Sequence, residues 1–207
     1  MCGFVGFLNP KHSINFEETL KEMSNMIVHR GPDSSGQWCD EEYGFGVAHQ
    51  RLSILDLSNL GSQPMLSHSR RYVMAFNGEI YNFQSLRSKL MSQGCKFKTN
   101  SDTEVLLMSY RIYGYNLLEK IEGIFAFAIW DRRKKTLFIA RDAVGVKPLY
   151  YSQTSDGFIF ASEIKSLVKS KAISRKLDKY AIHNYLSFNN NASSFNSIFI
   201  YLYSFRY

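Results

Sequence analysis

Apolar and polar positions change period along the chain, and these changes predict short strands separated by amphipathic helices. Residues 3–8 form an apolar run interrupted by glycine, which is typical of a buried strand that another backbone approaches closely. Residues 15–28 carry apolar side chains at helical spacing with charged residues opposite, which predicts a helix. The Gly-Pro pair within residues 29–33 does not continue a helix, so a loop is expected there.

Later segments repeat both patterns. Apolar runs rich in β-branched and aromatic residues predict strands over residues 45–48, 72–76, 124–130, 136–140, 150–151 and 158–160. The charged segment 131–135 separates two of these runs and is expected to be a hairpin tip. Helical spacing predicts helices over residues 83–93, 102–113, 162–168 and 179–185. Ser101 is the predicted N-cap of the second, with Glu104 in the capping-box position.

The order of these elements indicates a fold class. Strands occur in runs separated by helices rather than in strict β-α-β alternation, which favours antiparallel sheets covered by helices, an α+β fold. The length of 207 residues suits one domain, or one domain with a fragment of a second. After residue 188 a polar patch is followed by an aromatic-rich segment without clear period. We therefore expect one domain over residues 2–188 and a truncated or aberrant tail over residues 189–207.

Composition argues against several classes of protein. The net charge is +7, but the basic residues are scattered, so a nucleic-acid-binding surface is not favoured. No apolar run approaches the roughly 18 residues of a membrane span, and the N-terminus lacks the features of a signal peptide. The three cysteines contain no C-x-x-C pair, which argues against a disulfide framework or a zinc site. We expect a cytoplasmic protein in which Cys39 and Cys95 are bystanders.

Cys2 directly follows the initiator methionine. Methionine is normally removed before a small residue, so the mature chain would begin with a cysteine that carries a thiol and a free α-amine. The ordinary pKa values are about 7.7–8.0 for the amine and about 8.5 for the thiol, so the amine can accept the thiol proton near neutral pH. The alternative interpretation is a small hydrophobic residue that opens a strand.

Three polar segments supply groups that such a nucleophile would need. Arg51 ends a predicted strand and is suited to holding a carboxylate by paired charged hydrogen bonds. Asn77 and Gly78 come directly after a predicted strand and are expected to form a turn. They offer a side-chain amide and an unhindered main-chain N–H, the donors of an oxyanion hole. Asp102, at a predicted helix start, is suited to an ammonium group. Together these groups indicate a thiol enzyme that acts on glutamine.

Each segment also has a purely structural interpretation. Asn-Gly is the commonest hairpin turn, so Asn77 and Gly78 can serve only to reverse the chain. Arg51 can form a surface ion pair, and Asp102 can simply favour the dipole of its helix. None of the three decides the function alone.

The motifs resemble those of class II glutamine amidotransferases, which have an N-terminal nucleophile. The resemblance covers residues 2–188 and is carried by the segments 2–6, 29–33, 77–82 and 101–104. Three further segments are similar to glutamine-hydrolysing asparagine synthetase, at residues 50–54, 141–151 and 161–167. The resemblance implies a four-layer αββα sandwich, with two antiparallel sheets packed between helices.

The resemblance also implies the role of each site residue. Cys2 would attack the glutamine carboxamide with its own amine as general base, while the Asn77 side chain and the Gly78 N–H stabilise the oxyanion. Arg51 would bind the α-carboxylate, and Glu79 and Asp102 the α-ammonium. The implied glutamine pocket consists of Arg51, Leu52, Ser53, Ile54, Leu55, Asn77, Gly78, Glu79 and Asp102. No metal or cofactor is implied within this chain.

Asparagine synthetases continue into a second domain that adenylates aspartate with ATP and Mg²⁺ through a Gly-rich pyrophosphate loop. No such loop occurs in this sequence, so we do not expect this chain alone to make asparagine. A separate synthetase domain or subunit is the implied partner, and a homodimer stays open. The alternatives are a non-catalytic fragment or partner-binding subunit, or an amidotransferase half that serves another acceptor.

Overall fold

The computed structural model describes residues 1–9, 11–53, 61–170, 173, 175–188 and 203–204. The regular elements in chain order are β1 (Gly3–Leu8), α1 (Phe16–Asn25), β2 (Ser34–Asp40), β3 (Phe45–Arg51), β4 (Met65–Leu66), β5 (Tyr72–Ile80), α2 (Phe83–Ser92), α3 (Asp102–Tyr113), β6 (Gly123–Asp131), β7 (Thr136–Arg141), β8 (Tyr150–Thr154), β9 (Gly157–Ala161), α4 (Ile164–Lys169), α5 (Lys179–Phe188) and β10 (Tyr203–Ser204). Short 3₁₀ helices occur at Val28–Arg30, Glu41–Tyr43 and Gly114–Glu119. None of the helices in the described part of the chain has the length and apolar character that crossing a membrane requires.

The strands form two antiparallel sheets. The first has the order β10-β8-β9-β1-β3-β2, and the second has the order β4-β5-β6-β7. Side chains of both sheets meet in one apolar cluster, where Phe45 of the first sheet stacks on Trp130 of the second with ring centroids 4.8 Å apart. Separate clusters lie between the first sheet and α1 with α4, and between the second sheet and α2 with α3. The predicted four-layer αββα sandwich is confirmed.

Helix α1 is shorter than its periodicity predicts. Asn15 caps it, since its side-chain oxygen accepts a hydrogen bond from the Glu18 N–H (3.1 Å). The helix was expected to run to residue 28, but it ends at Asn25 and the chain turns into the 3₁₀ helix Val28–Arg30. Ile27 stays fully buried between the two helices, which explains why the apolar pattern continues past the end of α1.

Helix α3 has the predicted bounds, but its cap differs in one respect. The Ser101 hydroxyl accepts a hydrogen bond from the Glu104 N–H (3.3 Å), as an N-cap does. The Glu104 carboxylate does not return to the Ser101 N–H, as a capping box would require. It accepts instead from the N–H groups of Lys98 and Thr99. The capping-box prediction for Glu104 is therefore wrong, because the chain before the helix curls over this carboxylate.

Three strands were not predicted from the sequence, namely β2, β4 and the two-residue β10. β2 is the edge of the first sheet and much of it is exposed, so it lacks a clear apolar alternation. β4 is only a two-residue edge of the second sheet. By contrast, the predicted hairpin tip at 131–135 is confirmed, since it joins β6 to β7 and the Asp131 carboxylate accepts the N–H groups of Arg133 and Lys134.

Most of the predicted tail lies outside the described residues. Tyr203 and Ser204 pair with Tyr151 and Tyr150 of β8, at the edge of the first sheet. The domain boundary at residue 188 stays a prediction.

Candidate active site

A cleft of about 120 Å³ opens where the start of β1, the end of β3, the end of β5 and the start of α3 meet. Seven of the predicted site residues line it: Cys2, Arg51, Leu52, Asn77, Gly78, Glu79 and Asp102. Ser53 is described but does not line the cleft, and Ile54 and Leu55 lie outside the described residues. Residues far apart in sequence are thus brought together because β1 begins where β3 and β5 end.

The main chain of Cys2 is held from behind the cleft. Arg30 Nε donates a hydrogen bond to the Cys2 carbonyl oxygen (2.9 Å), and Arg30 Nη1 pairs with the Glu163 carboxylate (3.0 Å). Burial raises the pKa of Glu163, but its hydrogen bonds from Arg30 and its neighbours outweigh burial and lower the pKa overall. Two residues further on, the Phe4 N–H donates to the Ser162 hydroxyl (3.0 Å). The start of β1 is therefore fixed by side chains of two other segments.

The Cys2 thiol contacts the main chain that follows β3. Its Sγ accepts a hydrogen bond from the Leu52 N–H (3.3 Å) and faces the Leu52 carbonyl oxygen (3.5 Å). Met1 is present in this structure and also lines the cleft, so the Cys2 nitrogen is an amide here and has no basic lone pair. Only removal of Met1 would create the α-amine that the sequence analysis assigns as base.

Asn77 lines this cleft and carries an unsatisfied donor. Its side chain is 1% exposed, and its Nδ2 has no hydrogen-bond partner among the described residues. Buried polar groups are normally paired, because an unmade hydrogen bond costs about 1–3 kcal/mol. The orphaned amide therefore indicates a position where a ligand acceptor would bind.

Asn77 and Gly78 do not form a turn, which corrects the sequence prediction. Both lie inside β5, opposite Ala126 and Phe125 of β6. A Cβ on Gly78 would lie 2.3 Å from the Ile124 oxygen, so this site admits only glycine. The hairpin interpretation fails because β6 continues the ladder past both residues as far as Ile80.

Two buried side chains hold the residue before Asn77. Gln63 donates to the Phe76 carbonyl (3.2 Å) and accepts from the Phe76 N–H (2.7 Å), while His49 Nε2 lies 2.9 Å from the same carbonyl. The pKa of His49 is lowered to about 4, mainly by burial and also by the nearby Arg51 charge, while the Phe76 contact opposes the decrease. A neutral His49 therefore donates to this carbonyl at neutral pH and helps to set the direction of β5.

Arg51 is the last residue of β3, as predicted, but it is buried rather than on the surface. The interpretation as a surface ion pair is therefore wrong. The chain from Gly31 to Asp33 packs beside it, since the Asp33 N–H donates to the Arg51 carbonyl (3.1 Å) and the Asp33 carboxylate accepts from the Ser53 N–H (2.7 Å). This segment supports the backbone on both sides of Leu52.

Asp102 is both the first residue of α3 and a wall of the cleft. Burial raises the pKa of its carboxyl, opposed by the hydrogen bond that it accepts from the Ile80 N–H (3.1 Å). Its helix-start position agrees with the dipole interpretation, and its exposure to the cleft leaves it available to a ligand. With Glu79 it places two carboxylates in the same cleft as the Arg51 guanidinium, a pattern complementary to an α-amino acid zwitterion.

Sequence reasoning gave no role to two residues that line the cleft, Gln63 and Lys147. Arg30, which anchors Cys2, belongs to the segment 29–33 that contributed to the resemblance. Gln63 precedes a proline in a segment without a clear pattern, so nothing local marked it. Lys147 belongs to the motif 141–151, but that motif contributed only to the resemblance and not to a role. No cluster of three or more metal-ligating side chains occurs among the described residues.

Comparisons with known proteins agree with this geometry. The sequence profile of the family described as "Glutamine amidotransferase domain" matches residues 1–206. The chain is 48% identical over 192 residues to asparagine synthetase [glutamine-hydrolyzing] 1 of Bacillus subtilis, covering 91% of this chain and 30% of that protein. It is 37% identical to asparagine synthetase B of Escherichia coli, covering 90% of this chain and 33% of that protein. The chain thus spans about a third of the length of these relatives.

Solved structures share the fold. The glutamine phosphoribosylpyrophosphate amidotransferase of B. subtilis superposes with a TM-score of 0.67 over 81% of this chain and 43% of that chain. Its sequence identity is 23%, so this likeness concerns the arrangement of sheets and helices alone.

Proposed function

Because the chain belongs to the class II glutamine amidotransferase domain family, we propose that it hydrolyses the side-chain amide of glutamine through a Cys2 thioester, as the ammonia-donating half of an asparagine synthetase. The orphaned donor of Asn77 beside Cys2 carries this proposal. A protein that used Cys2 only for packing would gain nothing from a buried, unpaired amide.

The proposed reaction begins with removal of Met1. The freed α-amine of Cys2 takes the thiol proton as Sγ attacks the amide carbon of glutamine. The tetrahedral intermediate then expels the amide nitrogen, which takes a proton from the α-ammonium of Cys2 and leaves as ammonia. Water attacks the resulting thioester, which restores the thiol and releases glutamate. No external cofactor takes part in these steps.

The oxyanion of each tetrahedral intermediate would be bound by Asn77 Nδ2 and the Gly78 N–H. Both donors are fixed in advance by β5, in which Phe76, the residue before Asn77, is held by Gln63 and His49. Donors that need no rearrangement are the most effective, and loss of one typically costs about 2.7–4 kcal/mol of barrier.

The charges of the cleft favour a free amino acid over other amides. Arg51 would pair with the α-carboxylate, and Glu79 with Asp102 would hold the α-ammonium. A simple aliphatic amide offers neither an α-carboxylate nor an α-ammonium to these charges, which disfavours its binding. The backbone of Leu52, which lines the cleft, would complete the wall near the α-carbon.

The destination of the ammonia is the second part of the proposal. The asparagine synthetases named above are about three times as long as this chain, so the aspartate-activating chemistry, with ATP and Mg²⁺, would belong to a separate domain or subunit. This chain would supply the ammonia to that partner.

The test combines processing with activity. Mass spectrometry of the purified chain should show that Met1 is absent, and glutamate release from glutamine should be lost in Cys2→Ala. Cys39→Ala is the matched control, because burial, with Glu17 and Glu41 nearby, raises the pKa of Cys39 to about 11 and makes its thiol unreactive. Hydrolysis that persists in Cys2→Ala, or a wild-type protein that prefers simple amides to glutamine, contradicts the proposal.

A further inference from the structure

Lys147 is a cleft residue that the proposed reaction leaves without a part. It is 8% exposed, and its Nζ donates a hydrogen bond to Met1 Sδ (3.1 Å). None of the ion pairs among the described residues includes it. A lysine is rarely so buried unless it is paired, so this unpaired position calls for a function.

The backbone of Lys147 is fixed by its own loop. The Asp142 carboxylate accepts from the N–H groups of Lys147 (3.0 Å) and Phe125 (3.3 Å), and the Arg141 guanidinium donates to the Lys147 carbonyl. Burial raises the pKa of Asp142, but these main-chain donors outweigh burial and lower it overall, so the acceptor stays ionised. Phe125 lies directly opposite Gly78 in the sheet. Lys147 is thus tied to the strands that carry the oxyanion donors.

Met1 connects this lysine to the N-terminus. The methionine side chain reaches from the residue before Cys2 to Lys147 Nζ. When Met1 is removed, Nζ loses this contact, and the new α-amine of Cys2 takes the place of the peptide nitrogen next to the Met1 Cα from which that side chain extended. The two basic nitrogens then belong to residues that line the same cleft.

We propose that the Lys147 ammonium keeps the Cys2 α-amine of the mature protein neutral, in the form that accepts the thiol proton. This inference rests on the proposed function of Cys2. Two neighbouring ammonium groups repel each other, so a cation at Lys147 disfavours protonation of the amine. Lys147 would act on Cys2 through its charge and would not touch the reacting amide.

A modest decrease in the pKa of the Cys2 α-amine is enough to change its protonation at neutral pH. An α-amine with a pKa of about 7.7–8.0 is mostly protonated at pH 7 and is then no base. A decrease of about one unit leaves about half of it neutral at pH 7, and a general base works best when its pKa lies near the working pH. Because the thiol and amine are coupled, the measured values belong to the pair.

Other titratable groups line the cleft or hold the residues that line it. The titratable groups near the N-terminus are Arg30, His49, Arg51, Glu79, Asp102 and Glu163. Arg30 is paired with Glu163, and His49 is neutral. Arg51, like Lys147, would favour the neutral form of the Cys2 α-amine. The carboxylates of Glu79 and Asp102 would favour its protonated form. In the glutamine complex these three groups would be paired with the substrate, which leaves Lys147 as the unpaired charge in the cleft.

The experiment compares Lys147→Met with Lys147→Arg in the Met1-free protein. The pH dependence of kcat/KM for glutamine is measured, together with the rate of Cys2 alkylation by iodoacetamide, followed on the N-terminal peptide by mass spectrometry. We expect the acid limb of both profiles to move up by about one pH unit in Lys147→Met. Lys147→Arg keeps the charge and should keep the wild-type limb, whatever its kcat. Lys147→Gln is a second neutral variant should Lys147→Met not fold.

The outcomes separate the two proposals. If the alkylation limb moves in the neutral variants as expected, but the wild-type protein hydrolyses no glutamine, the proposed function is disproved and the inference is supported. Active wild-type protein whose limbs stay in place in both neutral variants would overturn the inference alone. A raised KM with an unmoved limb would also overturn it, because Lys147 would then bind substrate directly.

Discussion

The main-chain N–H of Leu52 donates a hydrogen bond to Cys2 Sγ over 3.3 Å. The thiol is therefore positioned by the residue that follows Arg51, and both are set by the end of β3. The loop from Gly31 to Asp33 braces this strand end from the side. A change that moves the end of β3 should consequently disturb the nucleophile and the predicted carboxylate site together.

Asn77→Ala should affect activity without weakening the fold. Because Nδ2 has no partner in the described structure, its removal breaks no hydrogen bond of that group. We expect kcat/KM for glutamine to fall about 10²–10³-fold, with a change in unfolding free energy of less than about 1 kcal/mol. Steady-state kinetics and urea unfolding measure the two effects.

The control for Asn77 is Asn82→Ala. The Asn82 side chain bonds the Lys120 carbonyl (2.9 Å) and the Glu122 N–H (3.0 Å) at an exposed position. This variant should lose stability and keep its kcat. An Asn77→Ala protein that retains full activity would contradict the oxyanion assignment.

Gly78→Ala should disrupt the second sheet. The added Cβ would lie 2.3 Å from the Ile124 oxygen and 2.7 Å from Phe125 Cα, both of them backbone atoms that have little room to move. We expect a loss of about 3 kcal/mol or more in unfolding free energy, together with loss of activity. Thermal and urea unfolding provide the measurement.

Gly94→Ala is the matched comparison for Gly78→Ala. Gly94 has a φ of +86° and no atom within 4 Å of the added Cβ, so only backbone strain opposes alanine there. Its cost should be about 1–2 kcal/mol, with kcat unchanged. Equal destabilisation at the two sites would show that the packing against β6 is not decisive.

His49 should make stability depend on pH. Its pKa is lowered by burial from 6.5 to about 4 in the folded state, so the unfolded chain binds more protons between these values. Stability is therefore full above pH 6.5 and is lost as the pH falls toward 4. Between pH 7 and pH 5 this group should remove about 2 kcal/mol.

The measurement for His49 is urea unfolding of the wild type and of His49→Gln at both pH values. Glutamine retains a donor for the Phe76 carbonyl but does not titrate. The difference in unfolding free energy between the two proteins should change by about 2 kcal/mol between pH 7 and pH 5. A constant difference would mean that His49 is not held neutral.

Glu163→Gln should loosen the anchor of Cys2. The carboxylate pairs with Arg30, whose Nε holds the Cys2 carbonyl, so we expect kcat to fall more than KM rises and stability at pH 7 to drop by about 1 kcal/mol. The folded pKa of Glu163 is lowered, so its stabilisation is present above its ordinary value of 4.5 and disappears as the pH falls below it. The stability deficit of the variant should shrink in that acidic window.

Asp156→Asn is the control for Glu163→Gln. It removes a carboxylate that pairs with Lys11 on the surface, away from the cleft. Its kcat should equal that of the wild type. A comparable loss of kcat in the two variants would attribute the effect to net charge rather than to the Cys2 anchor.

Local patterns predicted most of the elements correctly. The N-cap of Ser101 and the periodicity after it gave α3 from Asp102 to Tyr113, and the charged tip between two apolar runs gave the β6–β7 hairpin. Edge strands such as β2 were missed, because a strand with one open side needs little apolar alternation. Capping residues and periodicity predict an element correctly where its own residues determine its structure.

Sequence alone determined that a cysteine stands next to the initiator methionine and that carboxylate, guanidinium and amide groups follow at defined positions. Only the tertiary structure decided that Asn77 is buried without a partner, that Asn-Gly continues a strand, and that Lys147 enters the cleft. Periodicity and capping depend on residues a few positions apart. Burial, register and unpaired charge depend on β6 lying beside β5, and on Lys147 contacting Met1, which is 146 positions away in the sequence.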